Sequence, residues 1–150
     1  MMAGMKVWQM VFGLCFAALA AGTAVGQGGP LMYRAGTLDE LKGMRRFYVI
    51  AQTRAERAAI AKRIDGRQGL RLMRHGTAAQ FHITYTCERQ GGSRPEDPST
   101  VRLHVTIPTH DPITIAWSKQ EKPPTCKNAA TSTSLVNDFL EEFGKMDRQK

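Results

Sequence analysis

Hydrophobic and polar residues alternate strictly from Gln80 to Glu88: Phe81, Ile83, Tyr85 and Cys87 take one phase, His82, Thr84 and Thr86 the other. A period of two predicts a strand with one buried and one open face. The pattern returns in Val101, Leu103, Val105 and Ile107 against Arg102, His104 and Thr106, and again in Ile113, Ile115 and Trp117. Asp111-Pro112 marks the turn between these last two segments. Residues 46–51 (RFYVIA) are rich in β-formers and too short for a helix, which predicts an earlier strand. Leu70–Met73 is a further short strand.

Helical spacing takes over near the end of the chain. Leu135, Val136, Phe139, Leu140, Phe143 and Met146 fall on one face of a helix that starts at Ser134 or just before it. A second helix opens at the capping box Thr53-Arg54-Ala55-Glu56 and stops at Gly66. Its apolar stripe, Ile60 and Ile64, is thin and interrupted by Arg57. Thr37-Leu38-Asp39-Glu40 repeats the capping pattern and predicts one helical turn ending near Gly43. Gln90–Ser99 and residues 119–133 read as loops. The order is β-α-β-β-β-β-α. It predicts an α+β domain over residues 37–150, with one mixed or antiparallel sheet of about five strands and two helices packed on one face.

The first 26 residues stand apart. Lys6 precedes an apolar run from Val7 to Ala24, and Ala24-Val25-Gly26 places small residues before Gln27. That is the pattern of a cleaved secretory signal, with an uncleaved anchor as the alternative. Leu14 stands where a lipid-attachment signal needs a small residue before Cys15, so lipidation is not expected. The mature chain would be Gln27–Lys150, of single-domain size, located in the periplasm or secreted, with residues 27–36 as a flexible lead-in. No second hydrophobic segment follows, so no transmembrane segment is expected after cleavage.

Cleavage changes the cysteine arithmetic. Of three cysteines it removes Cys15 and leaves Cys87 and Cys126, an even number in an oxidising compartment. A disulfide is the expectation there, with two free thiols as the alternative. No Cys-x-x-Cys pair supports structural zinc, and the phase of Cys87 points it toward the core, away from the work of a nucleophile.

Charge is segregated. The chain carries 21 Lys and Arg against 13 Asp and Glu, and residues 45–74 alone hold nine basic residues against Glu56 and Asp65. Arg54, Arg57, Arg71 and Arg74 are the candidate contacts for an anionic partner; a merely solvated face is the plain alternative. On a helical wheel Arg54, Arg57, Lys62 and Arg63 scatter, and no aromatic residues interleave them as stacking platforms, so nucleic acid is not the expected partner.

Patterns that carry chemistry are sparse. The sequence holds no His-Glu-x-x-His, no Gly-x-Ser-x-Gly and no phosphate-cradling glycine loop, so no catalytic residue and no cofactor are assigned. His82 and His104 share the polar phase of neighbouring strands and are weak candidates for a metal, with His110 or Asp111 as a further ligand.

The stretches LKGMRRFYVI, GLRLMRHGTAAQFHITYTC, ITIAWSK and LVNDFLEEF, taken together, resemble small exported bacterial α+β domains of the type of the TolB amino-terminal domain. Those domains often introduce the third strand with Ala-Asp, where this chain has Ala79-Gln80. The resemblance spans nearly the whole mature chain and brings no catalytic residue. What it implies is a non-enzymatic envelope binding or accessory module whose partner is an unknown protein or anionic envelope component. A small metal-binding protein or metal-assisted hydrolase using His82 and His104 is the alternative.

Overall fold

Alternation along the central strands becomes one mixed sheet. In the computed structural model, which describes residues 30–89, 99–123, 126 and 129–149, the strands are β1 (Tyr33–Ala35), β2 (Arg46–Ala51), β3 (Arg71–Leu72), β4 (Phe81–Arg89), β5 (Ser99–Ile107) and β6 (Ile113–Glu121). Their spatial order is β1-β6-β5-β4-β2-β3. β4 pairs antiparallel with β5, and β5 with β6, whereas β2 lies parallel to β4 and to β3, and β1 parallel to β6. Met32–Lys150 is one compact unit. The expected signal segment and most of the Gln90–Ser99 loop lie outside the described residues.

Both helices, α1 (Arg54–Ile64) and α2 (Ala129–Arg148), add their apolar stripes to the core built on one face of the sheet. Phe47, Phe81, Ile83, Leu103 and Val105 rise from the strands to meet Ile64, Leu135, Phe139 and Phe143, and all of them are buried. Each such side chain taken out of water stabilises the fold by about 1.5–3 kcal/mol before entropy is charged against it. Aromatic rings lock the centre: Phe139 stands edge-on to Trp117, with centroids 5.6 Å apart, and tilts against Phe143 at 5.7 Å. Among the described residues no helix is long and apolar enough to cross a membrane.

The helix ends follow their sequence signals. Thr53 Oγ1 accepts from the Glu56 amide at 3.1 Å, and the Glu56 carboxylate accepts from the Thr53 amide at 3.1 Å, so the capping box is closed. α1 ends where Gly66 turns left-handed at φ 78°, a region that a Cβ disfavours. The turn at Leu38–Leu41 is a short 3-10 helix, with the Thr37 amide donating to Glu40.

The structure departs from the sequence reading in four places. A sixth strand, β1, lies inside the stretch expected to be a flexible lead-in; it is held by the Ile113 amide donating to Met32 O and the Gly36 amide donating to Ile115 O. Three residues with no alternation leave no periodic trace of it. Gly36 is what permits the approach, because a Cβ there would clash with the Thr114 side chain. β6 runs on to Glu121 and α2 begins at Ala129, which shortens the expected 119–133 loop from both sides.

The fourth departure is in β6. Val105 faces Trp117 while Thr106 faces Ile115, so Ala116 is an extra residue in the ladder. Such a bulge shifts the phase of everything before it by one. Trp117 therefore faces the helices, but Ile113 and Ile115, expected beside it in the core, lie on the opposite face, and Thr114 and Ala116 are buried in their place.

Cys87 and Cys126 meet in a disulfide, with their Cα atoms 5.7 Å apart. It ties the far end of β4 to the segment that leads into α2.

Candidate functional site

At the β3 edge of the sheet, α1 and the segment after β3 flank an open cavity of about 250 Å³. Arg54 and Arg57 enter it from the first two turns of α1, and Arg74 enters from the chain just beyond β3. Leu72 and Met73 form an apolar wall, and Tyr48, Val49, Ala58 and Ala61 complete the lining. No carboxylate lines the cavity. None of the ion pairs among the described residues involves these three arginines.

Arg54, Arg57 and Arg74 are exposed, and no carboxylate in the lining offsets their charge. The amino-terminal end of a helix carries partial positive charge, so Arg54 and Arg57 stand at the end where basic side chains are least favoured. Glu56 offsets part of that charge, but its carboxylate is engaged with the Thr53 amide. The surplus is positive.

Four arginines were expected to act together, and the fold sorts them. Arg54, Arg57 and Arg74 share the cavity, whereas Arg71 is outside its lining and faces Arg46 across the β2–β3 ladder. Arg45, from the same basic segment, is used by the fold: it pairs with Asp147 at 2.6 Å and lies 5.7 Å over the Phe143 ring. The sequence reading missed Tyr48 and Met73 as cavity residues. Tyr48, out of phase with Phe47 and Val49, turns its ring toward His82, with centroids 5.8 Å apart.

The uncovered sheet face is the second candidate region. A shallow concavity of about 390 Å³ is lined by Tyr33, Ile50, His82, Thr84, His104, Thr106, Pro108, Ile113 and Ile115. The bulge at Ala116 is what turns the two isoleucines into it. His82 and His104 both reach this face but are not directly opposed: His82 faces Thr106, and His104 faces Thr84. They are diagonal neighbours, with backbones about 7–8 Å apart.

Each imidazole already has a partner. His82 Nε2 donates to the Gly76 carbonyl at 3.0 Å, and His104 Nδ1 lies 2.9 Å from Ser118 Oγ. Burial, and secondarily the Arg102 charge, hold the His104 imidazole below the usual histidine range, which favours its neutral form. His110, expected as a further ligand, turns instead to Thr114 Oγ1 at 2.9 Å. Asp111 is not in the lining either. Among the described residues no three of His, Cys, Asp and Glu gather into a group able to hold a metal.

No protein family profile matches the chain, and no curated protein matches it. Two solved structures match the chain weakly. An uncharacterised lipoprotein B from Nitrosomonas europaea, solved by NMR, is 9% identical, with a TM-score of 0.29 over 81% of this chain and 87% of that one. A dodecameric PelC variant from Paraburkholderia phytofirmans is 12% identical, with a TM-score of 0.35 over 78% of this chain and 93% of that one. At those scores neither carries an argument about this protein, and neither supports the resemblance to the TolB domain type.

Proposed function

We propose that this protein is an exported, non-enzymatic binding module that meets an anionic partner through the arginine-lined cavity between α1 and the end of β3. One observation carries the reading. Three arginines from two separate elements converge on a single cavity that contains no carboxylate. All three are exposed, so their mutual repulsion in water is small, and what sets them apart is that no carboxylate lies among them. The Cys87–Cys126 disulfide supports export, because such bonds persist in oxidising compartments.

The test is binding of the purified full chain to vesicles containing anionic lipid and to an acidic polymer, across a salt series. Binding should weaken steeply with salt, because exposed charges are screened over about 8 Å at physiological ionic strength. Reversing Arg54, Arg57, Arg71 and Arg74 to Glu together should abolish it while the circular-dichroism signature of the fold persists. Exchanging Lys145 and Glu141, an exposed pair one turn apart on α2, should change nothing. Absence of salt-sensitive binding to any polyanion would remove the reading.

A further inference from the structure

We infer that the Arg54–Arg57–Arg74 cavity is a phosphate-ester site, holding a terminal phosphate with its organic substituent laid on Leu72 and Met73. The inference rests on the anionic-partner reading above and narrows it to one chemistry. Three guanidinium groups offer more N–H donors than the two oxygens of a carboxylate can accept. A phosphate monoester brings three terminal oxygens and a charge of about −1.5 to −2 at neutral pH, a closer match to three cations. The planar fork of arginine suits that geometry, where lysine would supply only a point charge.

Size and lining restrict the ligand further. At about 250 Å³ the cavity falls below the usual 300–1,000 Å³ of pockets that enclose a whole small molecule, so it takes a head group and leaves the rest outside. The wall beside the arginines is apolar: Leu72 is exposed, and Met73 lies next to it. Bare inorganic phosphate would leave that wall unused. An ester with an aryl or acyl substituent covers it.

Phenyl phosphate, benzoate and inorganic phosphate are the soluble probes, titrated into the full chain at one fixed ionic strength. Vesicles containing phosphatidic acid, compared with vesicles of equal charge made with phosphatidylserine, are the membrane probe. Phenyl phosphate should bind more tightly than either benzoate or inorganic phosphate. Saturation by the soluble ester assigns a free phosphate ester as the ligand type; preference for phosphatidic acid vesicles without soluble binding assigns a lipid head group; both support the site. Arg57→Gln and Arg74→Gln should each weaken binding about tenfold, the loss expected for a charged hydrogen bond. Arg74→Lys should weaken it nearly as much, because the fork is lost while the charge stays, and Arg71→Gln should have little effect. The site is overturned if all anions bind equally and Arg71→Gln costs as much as Arg57→Gln. That result would still leave the anionic-partner reading standing, whereas no salt-sensitive binding at all would remove both.

Discussion

The two helices lie on the same face of one sheet and are held there by different means. α2 is long, and Leu135, Val136, Phe139, Leu140, Phe143 and Met146 are buried along it. Polar contacts from several elements fasten its outer sides: the Trp117 indole donates to Glu142 at 2.8 Å, Lys119 pairs with Asp138 at 2.7 Å, and the Gln68 amide donates to the Leu140 carbonyl at 2.8 Å. α1 buries only Ile60, Ala61 and Ile64, and depends on its capped ends. A helix committed to the core on so many positions has few left for anything else. α1 commits three, which leaves Arg54 and Arg57 free to face the cavity. The helix that contributes least to the core is the one that carries the candidate site.

That contrast is open to test from its strongest member downward. Phe139→Ala empties a fully buried position between Trp117 and Phe143 and should cost about 3–5 kcal/mol, read from chemical denaturation. A cost below about 1 kcal/mol would mean that α2 is not the main cover of the core. Replacing Cys87 and Cys126 together by Ala should come next, at about 2–4 kcal/mol, because the bond closes a loop across a separation of 39 residues and restrains the approach to α2. Peptide mapping without reductant should recover the two cysteines as one linked pair.

Thr53→Ala removes the cap that the Glu56 amide uses and should cost about 1 kcal/mol. Because α1 depends on its ends, the loss should appear as faster amide exchange in its first turn, with α2 unaffected. The smallest expected effect is that of Arg54, Arg57 and Arg74 changed together to Gln. Exposed residues without structural partners usually alter stability by no more than about 0.5 kcal/mol, and removing mutual repulsion should make this change neutral or slightly stabilising. A large destabilisation would show the three arginines to be structural and would erase the functional distinction between the helices.

The local pattern of the chain was enough to place most of its elements. Alternation marked β4 and β5 because every second side chain of a strand meets the core, and it marked the existence of β6 for the same reason. The capping box at Thr53 and the left-handed turn at Gly66 placed α1, since both depend on residues a few positions apart. The six-residue apolar stripe from Leu135 to Met146 identified α2. An even count of cysteines after the expected cleavage pointed to the pair that the structure joins.

Tertiary structure decided what depends on residues distant in the chain. β1 is a strand only because β6 offers it an edge and Gly36 lets it close against Thr114. One bulge residue, Ala116, inverted Ile113 and Ile115, and no periodic reading of six residues registers a phase slip that is set by pairing with β5. Register also placed His82 and His104 on a diagonal. The candidate site belongs to this second class. The sequence showed nine basic residues between positions 45 and 74, but not which of them meet. Arg57 and Arg74 are separated by a helix, a turn and a strand, and only the parallel packing of β2 beside β3 brings them to one cavity while leaving Arg71 outside it. Composition is a sum over the chain, and a binding site is a coincidence in space that pairing and packing alone create.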